Sequence, residues 1–140
     1  MTVQYIARTD VITVSPDAGI EEVATTMRDK HIGSVVVTEG DQPVGIVTDR
    51  DVGVGIWEFD DPRAATVADV MTDDPVTVES DATIYEGLQT AREAGVRRIP
   101  ITEDGELVGI FTIDDVLVLI GGELGLISEV IQSHSPPYEG

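Results

Sequence analysis

Residues Thr2 to Ile56 align with Thr66 to Ile120 at a constant offset of 64, with 21 of 55 positions identical and no gap. Gap-free register gives every turn the same length in both halves, so one structural unit is built twice. Each copy is only about 60 residues, a size at which burial is marginal, and the two are expected to fold as a pair. The clearest matched segment is Val44-Gly45-Ile46-Val47-Thr48-Asp49-Arg50-Asp51-Val52 against Val108-Gly109-Ile110-Phe111-Thr112-Ile113-Asp114-Asp115-Val116. Any ligand site made by one copy should have a counterpart in the other.

Within a copy the pattern predicts strand, helix, strand, strand, helix after a short lead-in. Ile12-Thr13-Val14 and Val76-Thr77-Val78 are short β-prone runs closed by Ser15-Pro16-Asp17 and Glu79-Ser80-Asp81 as turns. The next helix carries apolar residues at helical spacing, Ile20, Val23, Ala24 and Met27 in one copy and Ile84, Leu88 and Ala91 in the other. Thr83 with Glu86 has the form of a capping box, and Gly95 ends that helix. Ser34 to Thr38 and Arg98 to Thr102 then form hairpins with Pro43 to Val47 and Leu107 to Phe111. Pro100 is expected at a sheet edge or beside a ligand, where its missing N–H is not needed. Final helices begin near Asp49 and Ile113. The organisation expected is therefore repeat 1 at 2–56, a polar linker at 57–65, repeat 2 at 66–120, and an additional C-terminal segment at 121–140. In that segment Leu124, Ile127, Val130 and Ile131 make an amphipathic helix over Glu123 to Gln132, whose stripe needs a partner in its own fold or a second chain. A frayed tail follows from Ser133.

Composition narrows the functional classes. The absence of cysteine removes disulfides, thiolate metal sites and thiol nucleophiles, and two distant histidines make a transition-metal site improbable. No apolar run approaches the roughly 20 residues needed to span a bilayer, and the N-terminus lacks a basic flank leading into an apolar stretch, so a cytoplasmic protein without membrane contact is expected. Acidic residues number 27 against eight cations, for a net charge of -19. Such a surface repels nucleic-acid polymers and anionic lipid. It also suits very high salt, where a Debye length of about 3 Å at 1 M screens self-repulsion; an acidic protein of ordinary salinity is the alternative.

The tandem repeat, with a Gly-apolar-apolar-Thr-x-x-Asp segment closing each hairpin, resembles the CBS domain pair, or Bateman module, here of halophilic archaeal character. Asp17 to Ala24, Ile32 to Val37 and Gly45 to Asp51 carry the resemblance in one copy; Asp81 to Ile84, Val96 to Ile101 and Gly109 to Asp115 carry it in the other. It implies an α/β (α+β) fold whose copies pack as a pseudo-two-fold pair, usually in a homodimer. It further implies that no cofactor is obligatory and that AMP, ADP, ATP or S-adenosylmethionine binds in clefts between the copies. On that resemblance Thr48 and Thr112 meet ribose or phosphate oxygens, and Asp51 and Asp115 the ribose hydroxyls. The adenine rests near Ile12-Thr13 and Val35-Val36, or near Val76-Thr77 and Ile99-Pro100.

The same Thr-x-x-Asp pairs have the form of capping boxes, each worth about 1 kcal/mol of helix stability without any ligand. Arg97 and Arg98 stand where the first copy has Gly33 and Ser34. They are apt for a phosphate clamp, or equally as partners for the acidic surface. The asymmetry predicts one cleft with Arg98 that prefers phosphates and another, at Gly33-Ser34, that differs. No nucleophile with base and orienter, no P-loop and no His-rich motif is present, so a non-enzymatic regulatory module signalling to an unidentified protein is expected. A dimerisation scaffold with vestigial clefts is the alternative.

Overall fold

The computed structural model describes residues 1–134; the expected tail from residue 135 lies outside them. Two sheets stand side by side, each covered by helices. In chain order the elements are α1 (Val3–Ile6), β1 (Thr13–Val14), α2 (Ile20–Lys30), β2 (Ser34–Glu39), β3 (Gln42–Thr48) and α3 (Asp49–Gly55). After two 3-10 turns in the linker come α4 (Val67–Val70), β4 (Thr72–Asp73), β5 (Val78–Glu79), α5 (Ile84–Ala94), β6 (Arg98–Glu103), β7 (Glu106–Thr112) and α6 (Ile113–His134). The first sheet has the order β1-β2-β3-β4 and the second β5-β6-β7. In each, a parallel strand lies beside an antiparallel hairpin. The fold is thus the expected mixed α/β pair.

Local chemistry accounts for the boundaries. Thr83 Oγ1 accepts from the Glu86 N–H at 3.1 Å, and the Glu86 carboxylate accepts from the Thr83 N–H at 2.8 Å, closing the capping box of α5. Gly95 ends α5 in the left-handed region at φ 67°, and His31 takes the matching conformation after α2. Hairpin register is identical in the two copies, with a bulge between Val37 and Thr38 and another between Ile101 and Thr102.

Of the two places expected for Pro100, the sheet edge is not the one it takes. It lies buried in β6, the central strand of its sheet, rather than at an edge. Its counterpart Val36 donates its N–H to the Ile12 carbonyl at 3.2 Å. Proline has no such donor, which is compatible with β5 first pairing one residue further on, at Val78 with Ile101.

The lead-ins are exchanged. Val3 of α1 is buried in the second copy's core with Phe111, Ile99, Ile101 and Val116, while Val67 of α4 is buried in the first copy's core with Val23, Val35, Val37 and Val47. Backbone bonds follow the same exchange: the Val3 N–H donates to the Ala82 carbonyl at 2.8 Å, and the Val67 N–H to the Ala18 carbonyl at 2.8 Å. β4, from the second lead-in, adds to the first sheet through Ile46–Thr72 pairing, and Arg8 makes the equivalent bridge to Ile110 of the second. Each half is closed by residues belonging in sequence to the other.

α6 also differs from the separate helices expected near 113–120 and 123–132. It runs unbroken through Gly121-Gly122 to His134 and includes Ser133 and His134, which the sequence places in the tail. Its first turns pack on the second core through Ile113 and Val116, but beyond them Leu117, Val118, Ile120, Leu124, Leu126, Ile127, Val130 and Ile131 are all exposed. The stripe therefore finds no partner in its own fold. α6 has 22 residues and is by length and composition alone long and apolar enough to cross a membrane, although no uninterrupted apolar run within it approaches that length. Glu123 and Glu129 interrupt its apolar character.

A cleft between the copies

A concavity of about 260 Å³ opens between the two sheets. That volume is near the lower end of small-molecule pockets, roughly 300–1,000 Å³. The first copy supplies Ile12 beside β1, Gly33, Ser34 and Val36 of β2 and its approach, and His31 from the C-terminus of α2. The second supplies Arg98 from β6, Ile110 and Thr112 from β7, and Asp114 from the start of α6. Arg8 and Asp10 come from the segment between α1 and β1.

Of the residues singled out in the sequence, this cleft brings together Ile12, Val36, Arg98 and Thr112. Thr13 lines a second hollow with Thr38 and Gly109, and Asp51 a third with Arg50 and Asp69. Val35, Ile99 and Pro100 are buried, whereas Val76 and Thr77 are exposed. Arg97 is engaged at the surface, its Nη2 lying 2.6 Å from Asp114 Oδ1.

One expectation is overturned. Matching positions through the repeat assigns Gly33-Ser34 and Arg98 to different clefts, yet the structure places them face to face in the same one. A Cβ added at Gly33 would meet Arg98 Nη2 at 3.2 Å and Asp49 Oδ2 at 3.5 Å. Positions related by a two-fold axis converge when they lie near that axis, which spacing along one chain does not reveal. The glycine is what lets the guanidinium approach the first copy's backbone.

The two Thr-x-x-Asp segments, alike in sequence, are wired differently. At the start of α3, Thr48 Oγ1 accepts from the Asp51 N–H at 3.1 Å and the Asp51 carboxylate returns to the Thr48 N–H at 2.9 Å. This is a complete capping box. At the start of α6, Thr112 Oγ1 accepts from the Asp115 N–H at 3.1 Å, but the Asp115 carboxylate takes a bidentate pair from Arg8, with Nε at 3.0 Å and Nη2 at 2.8 Å. The Asp115 side chain is only 18% exposed, that of Arg8 66%. The hydrogen bond from Arg8 holds the Asp115 carboxyl below its usual range, reinforced by Thr112 and opposed by burial; the guanidinium is raised in turn by the same bond. Arg8 escaped sequence reasoning because its matched residue is Thr72, so the repeat pattern marks it as unremarkable. Its position in an exchanged lead-in carries it to the other copy.

The model of the CBS domain matches twice, at residues 3–52 and 67–122. The chain belongs to the CBS domain family. Its CBS pair is 40% identical over 120 residues to the uncharacterized protein MK0525 of Methanopyrus kandleri, an alignment covering 84% of this chain and 61% of that one. Among solved structures, the CBS domain pair of protein MJ0100, in complex with 5-methylthioadenosine and S-adenosyl-L-methionine, superimposes with a TM-score of 0.78 at 22% identity, covering 88% of this chain and 98% of that one. CBSX2 in complex with AMP gives 0.76 at 21%, covering 86% and 97%. At such identities the two CBS structures establish a shared fold.

Proposed function

We propose that this CBS pair is a regulatory module that binds an adenosine-containing ligand, AMP, ADP, ATP or S-adenosylmethionine, between its copies and passes its occupancy to a partner protein. The observation that carries the reading is the cleft itself, which sets Thr112 opposite an apolar floor of Ile12 and Val36 and beside two arginines. Thr112 hydroxyl and the first N–H groups of α6 suit ribose or phosphate oxygens. Ionised Asp115, an acceptor only, suits a ribose diol. Ile12 and Val36 offer the base an apolar face. Two neighbours of the same fold hold adenosine compounds, which supports this chemistry. No group with nucleophile, base and orienter in reach is found among these residues, and the reading is not enzymatic.

Calorimetric titration in concentrated KCl tests it. AMP, ATP or S-adenosylmethionine should bind and raise the Tm, and Asp115→Asn should weaken binding by more than Asp60→Asn, an exposed carboxylate of the linker. Absence of binding by all three at millimolar concentration, or equal losses in the two variants, would reject the reading.

The unpartnered face of α6 favours a second element of function, assembly into a homodimer. Leu117, Ile120, Leu124, Ile127 and Ile131 are spaced alternately three and four apart, the seam of a two-stranded coil. If the clefts bound nothing, this face would leave a dimerisation scaffold as the role. The acid excess accords with a high-salt cytoplasm, and the Tm should rise as KCl is increased from 0.1 M to about 2 M, where screening is nearly complete. A flat or falling Tm would point to an ordinary acidic protein.

A further inference from the structure

Resting on the adenosine reading of the cleft, we infer that Arg8 is a latch on Asp115 that makes a phosphate group a requirement for tight binding. Arg8 engages both carboxylate oxygens of Asp115, the group offered to the ribose. A ribose diol competes with the guanidinium for those oxygens, because each already accepts one directed, charge-assisted bond and offers only its remaining lone pair. A neutral nucleoside that displaced Arg8 would cost it the bidentate bond and leave it only the weaker attraction of Asp10 and Asp114. A 5′-phosphate removes that conflict. Arg8 lines the same cleft as Arg98, Ser34 and Thr112, so a phosphate there offers the guanidinium a replacement bidentate anion as the diol takes Asp115. The exchange conserves ion pairing, whereas binding of neutral adenosine does not. The Arg8 side chain is two-thirds exposed, so it has room to swing.

The matched half lacks this device. Thr72 stands at the position of Arg8, and Asp51 is turned back onto its own helix. That half also supplies the control. Thr72 pairs with Ile46 as Arg8 pairs with Ile110, and the Arg8–Ile110 bridge is made by backbone, the Arg8 N–H donating at 3.1 Å and its carbonyl accepting at 2.9 Å. Arg8→Thr therefore keeps the fold and removes only the latch.

The test titrates AMP, adenosine and S-adenosylmethionine into the wild type and Arg8→Thr. Wild type is expected to prefer AMP over adenosine by tenfold or more, on the order of one charge-assisted hydrogen bond. In Arg8→Thr the two affinities should move in opposite directions, AMP weakening while adenosine tightens several-fold as Asp115 is released. Adenosine unchanged, or falling in parallel with AMP, would overturn the latch while leaving the cleft intact as an adenosine site. Binding of no adenosine compound to either protein would overturn the cleft reading, and the latch with it.

Discussion

Replacing Phe111 with Ala is expected to destabilise the protein by about 3–5 kcal/mol, the usual loss for a fully buried phenyl ring whose surroundings cannot collapse. The ring has no exposure and lies against α5 where that helix has Gly87. A Cβ at Gly87 would be 3.0 Å from both Cε1 and Cζ of Phe111 and 3.0 Å from Val3. In the first copy the same two positions hold Val23 and Val47, both fully buried. One half fills this contact with two medium side chains, the other with none and a large one. Volume is shared differently but supplied in both, as close-packed interiors require. Gly87→Val alone should therefore overpack and Phe111→Val alone should leave a void. Their combination, which transplants the first copy's pair, should recover stability with a coupling of about 0.5–3 kcal/mol in a denaturant-monitored double-mutant cycle. Strict additivity would show that the two sites do not share a space.

The second large effect is on assembly. Wild-type protein should sediment at twice its 15.0 kDa chain mass, and Leu124→Glu/Ile127→Glu should sediment as a monomer with little change in Tm. Both residues are more than half exposed in the single chain, so charge there disturbs no internal packing, but it would be buried in a seam between two copies of α6. A stable interface needs roughly 800 Å² per partner. The eight large apolar side chains exposed along α6 are a substantial contribution to it. A wild-type monomer at high salt would reject the seam; partition of the wild type into vesicles, lost in the double variant, would assign the helix to lipid instead.

What the sequence made legible is what is decided locally. The capping box at Thr83, the left-handed position at Gly95 and the two hairpins depend on residues a few places apart, and periodicity with turn chemistry located them. The apolar stripe of α6 was likewise visible, though its continuity through Gly121-Gly122 was not, because paired glycines read as a break unless packing or chain context carries the helix through them. The cleft was legible by half. Ile12, Val36, Arg98 and Thr112 meet there, but Gly33 and Arg98 were assigned to opposite sites, and Arg8 was overlooked. Those errors share a cause. Aligning the copies reveals which residues are equivalent, but not which of them meet near the two-fold axis or which copy a lead-in packs against.

That exchange also decides where the chain is divisible. Cutting in the linker, between the sequence repeats, would leave Val3 separated from the core it completes and Val67 from its own. The segment from Val11 through Asp73 carries one closed core by itself, with β1 to β4 and α4 in place; the other closes only when the first residues return to it. Topologically the molecule is a ring opened inside one of its two halves, so its N-terminal residues act as the clasp.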